Sequence, residues 1–294
     1  TTTGTDGVVQ VYSDHYRIFF EGTEQEGQTF SKKMEACLTL YNSVLHFDLA
    51  KLNVKLKVRI FRNKAGFDTY LSRVIRETKD DFVYIHYSDL GKSELVGFQK
   101  ASSADFNTAL LHQGFIQFLK SFVSNPPVWL QEGLAAYFEQ SQYQTENARF
   151  TLPEDLVWLT SLKKIVKGNA DQPLIDFNTF LTMDKTSAQI QLDTFYPQSW
   201  GLVYFLLHSK DRNVNRILWD SIAAIDPSLS VAENSERVKN KAFAWYGVAK
   251  LEASFKDYFL NLKTLSDLIA EGVTYYSNNE LEKAREIFAL AMER

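Results

Sequence analysis

The sequence predicts an α+β protein in which a mixed sheet with helices precedes a mainly helical region. Three observations predict this class. Strand-like and helix-like patterns alternate over the first ~100 residues, and helical periodicity dominates from residue 105 onwards. Finally, no stretch rich in Pro, Gly or Ser divides the helical region, and 45% of the 294 residues are hydrophobic, enough for a sizeable core.

The first half of the chain contains the strand patterns. Residues 8–20 are β-rich and interrupted by Ser13-Asp14, which predicts a strand or hairpin. Residues 54–61 (VKLKVRIF) alternate apolar and polar side chains, as a half-buried strand does. Residues 82–87 and 94–99 predict two further strands, joined by a turn at Asp89-Leu90-Gly91.

Helical spacing of apolar residues predicts helices at 24–47 and 64–76 between these strands. Residues 105–123 are apolar around nearly the whole helical circumference, which is typical of a buried central helix. The sequence Asn125-Pro126-Pro127 ends that helix, because the residue before a proline is driven out of the helical region. Further helices are predicted at 128–143, 154–167, 174–182, 196–209, 213–224, 233–243 and 248–262.

Composition and charge argue against several classes of function. The net charge is −4 and the lysines and arginines are scattered, so the basic stripe typical of nucleic-acid-binding proteins is missing. Cys37 is the single cysteine, which excludes an intrachain disulfide. No apolar run approaches the ~18 residues of a transmembrane helix. The Thr-rich start without Met favours an exported bacterial protein, periplasmic or lipid-anchored after signal removal.

The segment 265–294 resembles one tetratricopeptide unit, a hairpin of two antiparallel helices. The positions that carry the resemblance are Leu268, Gly272, Tyr275, Ala284, Phe288 and Ala291. Small residues at three of them allow close helix packing, and Asn278-Asn279 supplies the turn. An ordinary helical hairpin is the alternative, because one unit is a short match. If the resemblance is real, we expect further repeats and a protein-binding surface.

Two neighbouring stretches carry the most specific motif of the chain. The first reads His112-Gln113-Gly114-Phe115-Ile116, and the second, Trp129 to Glu139, reads WLQEGLAAYFE. The second stretch resembles the peptidase MA-like family of HExxH-type (gluzincin) zinc peptidases, whose W-L-x-E-G-x-A-x-Y-x-E stretch contains a zinc-binding Glu. Residues 196–203 (YPQSWGLV) and 246–260 are similar to two further helices of that family.

The resemblance implies a zincin-like fold for residues 8–262, followed by the hairpin as a second domain. It places His112 at the first metal ligand and Glu132 at the third, and it puts Tyr196 near the active site. It also places Gln113 at the general base and Ile116 at the second histidine. A carboxamide cannot take up a proton and an isoleucine cannot bind a metal. We therefore expect a degenerate site with no zinc, or zinc held only weakly by His112 and Glu132.

The first hypothesis for function is a catalytically inactive peptidase homologue that binds a protein or peptide through its cleft and its C-terminal hairpin. Strand addition needs no metal, and the residues expected to form the peptide-binding edge strand are Glu94, Leu95, Val96, Gly97 and Phe98. The alternative is an active metallopeptidase in which Glu132, Glu139, His112 and Tyr196 form a non-standard metal site, with His208 as a less favoured replacement ligand. A third possibility is a structural spacer that presents the repeats. Oligomeric state does not follow from the sequence.

Overall fold

A computed structural model of the protein describes residues 2–3, 7–152, 156–169 and 171–292. A six-stranded mixed sheet with helices on its faces is followed by a run of helices and then by a helical hairpin. The predicted α+β class is therefore confirmed.

The sheet has the strand order β1-β2-β3-β4-β6-β5, so β1 and β5 form its two edges. Strands β3, β4 and β6 run parallel to one another, and the remaining neighbours pair antiparallel. The strands are β1 (Thr2–Thr3), β2 (Val8–Tyr12), β3 (Tyr16–Glu21), β4 (Leu56–Phe61), β5 (Val83–Ile85) and β6 (Glu94–Phe98).

The expectation that Glu94–Phe98 forms a peptide-binding edge strand is wrong. Strand β6 is paired on both sides, with Leu95 opposite Val58 of β4 and opposite Tyr84 of β5. Over Glu94–Val96 both edges of its backbone are therefore occupied by neighbouring strands, and β6 is an interior strand of the sheet. The expectation failed because β6, although it follows β5 in the chain, lies between β4 and β5 in the sheet, which leaves β5 at the edge.

Helices cover both faces of the sheet. Helix α1 (Glu24–Leu45) starts with a capping box between Thr23 and Glu26 and ends at His46, whose φ is +52°. Its buried side chains share one core with α3, whereas α2 (Lys64–Val74) packs Phe67 and Leu71 against the opposite face of the sheet. Cys37 of α1 is fully buried, and this burial raises the pKa of its thiol to about 12.

Three helices build the centre of the molecule. They are α3 (Ser103–Lys120), α4 (Val128–Phe138) and α8 (Leu192–His208). Helix α3 is capped by Ser102 and buries most of its circumference, as the apolar pattern predicts. Helix α4 packs against both α3 and α8.

Gly133 determines how closely α4 approaches α8. A Cβ at this position would lie 2.8 Å from the backbone carbonyl carbon of Ser199 and 2.9 Å from a methyl group of Val203. Real Cβ atoms do not approach backbone so closely, so the two helices can pack at this distance only around a glycine. This contact places Glu132, the residue before Gly133, beside the start of α8.

The remaining elements differ from the predicted bounds in several places. Helix α4 ends at Phe138 rather than at residue 143, and the chain then forms a two-stranded sheet that the sequence did not predict. Helix α8 starts at Leu192, five residues before Pro197, so this proline lies inside the helix and the carbonyl of Asp193 lacks the N–H donor that another residue would supply there. The other elements are β7 (Gln142–Gln144), β8 (Arg149–Thr151), α5 (Leu159–Val166), α6 (Phe177–Phe180), α7 (Lys185–Ile190), α9 (Arg212–Ala224), α10 (Val231–Val238) with a π-helical turn at Lys239–Phe243, and α11 (Val248–Asn261). The start of the predicted helix 154–167 lies partly outside the described residues.

The C-terminal segment forms a hairpin of α12 (Leu265–Ser277) and α13 (Leu281–Met292). Gly272 lies directly against the Phe288 ring, where a Cβ would approach ring carbons to 2.6 Å. Ala284 is also buried, so the small residues lie where the helices meet. None of the helices in the described part of the chain has the length and apolar character that crossing a bilayer requires.

Replacing Gly133 with alanine tests the close approach of α4 and α8. We expect Gly133→Ala to lower the free energy of unfolding by about 2 kcal/mol, because the new methyl group must displace backbone. Urea denaturation measures this loss. The matched control is Gly114→Ala in α3, where the Cβ would lie 3.2 Å from the Tyr41 hydroxyl and 3.9 Å from a methyl group of Leu95, and would meet no backbone of another element. In that variant the ~1 kcal/mol gain in helix propensity offsets the cost of a small displacement of the Tyr41 side chain. Equal losses of unfolding free energy in both variants would contradict the packing argument.

Candidate functional site

The candidate site is built around His112, which projects from α3 toward the end of α4. Its Nε2 lies 3.2 Å from Glu132 Oε2, and its Nδ1 lies 2.8 Å from Glu139 Oε2. Glu132 lies within α4, and Glu139 directly follows the last residue of this helix. The two are seven residues apart, so their side chains lie on the same side of the helix. We call Glu139, His112 and Glu132 the ion triad.

The two carboxylates determine the protonation state of His112. A neutral imidazole would turn the lone pair of one ring nitrogen toward a carboxylate, whereas an imidazolium donates from both nitrogens. Burial by itself lowers the pKa of His112, but the hydrogen bonds and charges of Glu132 and Glu139 outweigh it and raise the pKa to about 9. His112 is therefore a cation at neutral pH.

Glu132 is a buried carboxylate with three side-chain donors. Besides His112, the Tyr196 hydroxyl donates to Oε2 at 3.3 Å and Gln131 Nε2 donates to Oε1 at 2.8 Å. Burial acts to raise the pKa of Glu132, but the hydrogen bond and charge of His112 outweigh it and lower the pKa. Burial and the charge of Glu132 raise the pKa of Tyr196, so this phenol stays a donor.

Gln113 and Ile116 lie on the same helix as His112 but make different contacts. Gln113 Oε1 accepts a hydrogen bond of 3.1 Å from the backbone N–H of Tyr84 in strand β5. Ile116 is 7% exposed and belongs to the hydrophobic core. Neither side chain takes part in the ion triad.

The donor set does not fit a catalytic zinc ion, which normally takes three protein ligands. The two ring nitrogens of His112 point in diverging directions, so Glu132 and Glu139 lie on opposite sides of the ring. One ion at Nε2 would reach Glu132 but not Glu139, and Ile116 offers no lone pair. No group of three or more His, Cys, Asp or Glu among the described residues is arranged to hold a metal. His208 instead lies 3.1 Å from the Tyr137 hydroxyl and stacks on the ring of Tyr204.

A cleft of about 650 Å³ opens onto the ion triad. His112, Gln113 and Glu139 form one part of its lining, and the aromatic rings of Phe82, Trp158 and Tyr196 form another. Lys100 also lines the cleft and is paired with Asp81, with 2.6 Å between Nζ and Oδ2. The lining therefore mixes charged and aromatic groups, as ligand sites commonly do.

Sequence reasoning brought together His112, Glu132 and Tyr196, and the structure places these three side chains in contact. The alternative hypothesis grouped Glu139 with these residues as a metal ligand, but its direct contact with His112 Nδ1 was not predicted. The cleft residues Asp81, Lys100 and Trp158 carried no sequence signal, because they come from separate loops. Glu94 does not line the cleft. Its buried carboxylate lies 3.1 Å from Arg59 Nε through Oε1 and accepts a hydrogen bond from the Tyr70 hydroxyl through Oε2.

A comparison with known protein families finds a match over part of the chain. A family model described as a protein of unknown function (DUF1570) matches residues 111–224, from Leu111 of α3 to the end of α9. No curated protein matches the chain. The matched range includes His112, Gln113, Glu132, Glu139 and Tyr196, whereas the sheet and the C-terminal hairpin lie outside it.

The ion triad predicts a specific dependence of stability on pH. The pKa of His112 is higher in the folded state, about 9 against a usual 6.5, so its pairing stabilises the fold fully below pH 6.5. This contribution, about 3 kcal/mol, is lost as the pH rises through 9. Urea midpoints at pH 6 and pH 9.5 measure it.

His112→Gln should remove most of this pH dependence, whereas the control His46→Asn should retain it. His46 lies in the left-handed region at the end of α1, which asparagine also adopts. If wild type and His112→Gln lose the same stability between the two pH values, the imidazolium assignment is wrong.

Proposed function

We propose that this protein is a non-hydrolytic relative of the peptidase MA-like zinc peptidases and binds an extended peptide or protein segment in the cleft beside the ion triad. One observation carries the proposal: each ring nitrogen of His112 lies within hydrogen-bonding distance of a carboxylate oxygen, Nε2 at 3.2 Å from Glu132 and Nδ1 at 2.8 Å from Glu139. A proton on Nε2 occupies the lone pair that a metal would need. Metal binding would require removal of that proton, which the raised pKa of His112 opposes at neutral pH.

The side chains at the base and second-ligand positions support the same proposal. The carboxamide of Gln113 has no basic lone pair for activating water, and its oxygen is already bonded to the Tyr84 N–H. Ile116 contributes to the core. Hydrolysis in the manner of an HExxH peptidase would therefore lack both its base and its metal.

The cleft supports a peptide as ligand. Its volume lies within the ~300–1,000 Å³ typical of ligand sites. Asp81 and Phe82, the two residues before the edge strand β5, line it together with residues of α3, so an extended chain entering it would pass the start of this sheet edge. Aromatic side chains and the carboxylate of Glu139 offer contacts to apolar and polar side chains of such a segment.

The C-terminal hairpin supports a second contact with a partner. On α12, Leu265, Ile269 and Val273 repeat every fourth residue and are each between 44% and 52% exposed. Tetratricopeptide-like hairpins bury such a face against a neighbouring unit or a partner. We propose residues 8–262 as one domain and 265–294 as a repeat-like unit, in an exported bacterial protein.

Zinc content separates this proposal from an active metallopeptidase with an unusual site. We expect the purified wild-type chain, after incubation with zinc and dialysis, to retain far less than a full equivalent by mass spectrometry. The double variant Gln113→Glu, Ile116→His should retain close to one equivalent, because it supplies a third ligand. Adding His112→Ala to it should abolish retention. Stoichiometric zinc in the wild type, lost in His112→Ala, would show that the proposal is wrong.

Blocking the cleft tests the binding function. The probe is fluorescein-labelled β-casein, an unfolded chain, and anisotropy measures its affinity. Thr108→Trp places a bulky ring in the cleft lining and should weaken binding by about tenfold or more, equivalent to ~1.4 kcal/mol. The control Thr69→Trp changes an exposed position on α2 and should bind as the wild type does. Casein cleavage by the wild type, or equal binding by both variants, would count against a binding role for the cleft.

A further inference from the structure

The outer edge of strand β5 is occupied by the protein's own side chains. An edge strand normally presents unpaired N–H and C=O groups to any extended chain. Here the Tyr84 N–H donates to Gln113 Oε1 at 3.1 Å, and the Phe82 N–H just before the strand donates to Asp81 Oδ1 at 2.7 Å. Two backbone donors beside the cleft are thus already engaged.

Both acceptors are held in place by further contacts. Asp81 is paired with Lys100, whose ammonium also lies 5.7 Å from the centre of the Phe82 ring. Gln113 belongs to α3, and one turn further on Gln117 donates to the backbone oxygen of Lys57 in β4 at 2.8 Å. Helix α3 is therefore attached to the sheet at two strands, which fixes the position of Gln113 relative to Tyr84.

The hydrogen bond between Gln113 and Tyr84 has the chemistry of a sheet ladder. A glutamine side chain ends in a primary amide, and its C=O accepts from the strand as the backbone carbonyl of a neighbouring chain would. The orientation of the amide follows from this bond, because the opposite orientation would set its NH₂ group against the Tyr84 N–H. Its Nε2 must then point away from the Tyr84 N–H.

We propose that Gln113 is a latch on the sheet edge: its carboxamide occupies the place of a ligand's backbone carbonyl, and an extended peptide must displace it to pair with β5. This inference rests on the proposed function, since it concerns the same cleft. Gln113 is a positioning residue, which makes strand addition conditional on losing one internal hydrogen bond. It also keeps the edge from pairing with other chains while the cleft is free of peptide.

Two variants of nearly equal size separate the latch from simple packing. Gln113→Met keeps the length and apolar stem of the side chain but removes the acceptor, whereas Gln113→Glu keeps an acceptor oxygen. Gln28→Ala, at an exposed position of α1, is the control.

Amide hydrogen exchange of Tyr84, followed by NMR, is the first measurement. We expect exchange about fivefold faster in Gln113→Met than in the wild type, as the loss of one ordinary hydrogen bond predicts, and near-wild-type exchange in Gln113→Glu and Gln28→Ala. This readout needs no ligand. Unchanged exchange in Gln113→Met would overturn the latch, whatever the cleft binds.

Affinity for fluorescein-labelled β-casein is the second measurement. If peptides pair with β5, Gln113→Met should bind about fivefold more tightly than the wild type, because no internal bond has to be displaced. If the wild type and Gln113→Met both bind casein with the same affinity although Tyr84 exchanges faster in the variant, the latch is also overturned, since bound peptide would then not pair with the freed edge. Absence of binding by every variant, despite faster exchange, would instead contradict the proposed binding function.

Discussion

The imidazolium of His112 lies between two carboxylates that belong to a neighbouring helix, and this ion triad connects the two halves of the molecule. His112 belongs to the helix that lies on the sheet, whereas Glu132 and Glu139 belong to the helical region. A buried charge is costly unless it is paired, so loss of His112 would leave two carboxylates without their common cation. The position of α4 relative to α3 is therefore set by charge as well as by packing.

Packing on the other side of α4 makes the ion triad possible. Gly133 lets the backbone of α4 approach Ser199, and this approach brings Tyr196 of α8 within hydrogen-bonding distance of Glu132. A bulkier residue would separate the helices and leave that carboxylate with one donor fewer. Glu132 thus supplies a carboxylate of the ion triad, and the adjacent Gly133 allows the close approach of α4 and α8 that this carboxylate needs.

Much of the fold and part of the site follow from the sequence. Local side-chain patterns predicted the strands between residues 8 and 99 and the buried helix α3, because they determine which face of each element is apolar, and the tetratricopeptide resemblance predicted the C-terminal hairpin, whereas β1 was not predicted. Local patterns could not show that β5 lies outside β6, since the order of strands depends on packing between distant segments. For the same reason Glu139 and Tyr84 were not assigned their partners: His112 and Gln113 contact them across 27 and 29 residues of chain.

The burial of Cys37 has a practical consequence for spectroscopy. The chain has a single cysteine, and its thiol is fully buried with a pKa raised to about 12, so maleimide reagents should leave it unmodified in the native state. A cysteine introduced at any exposed position would then be the only reactive thiol. Paired labels on α3 and α12 could report distances between the cleft and the hairpin while the native cysteine stays in place.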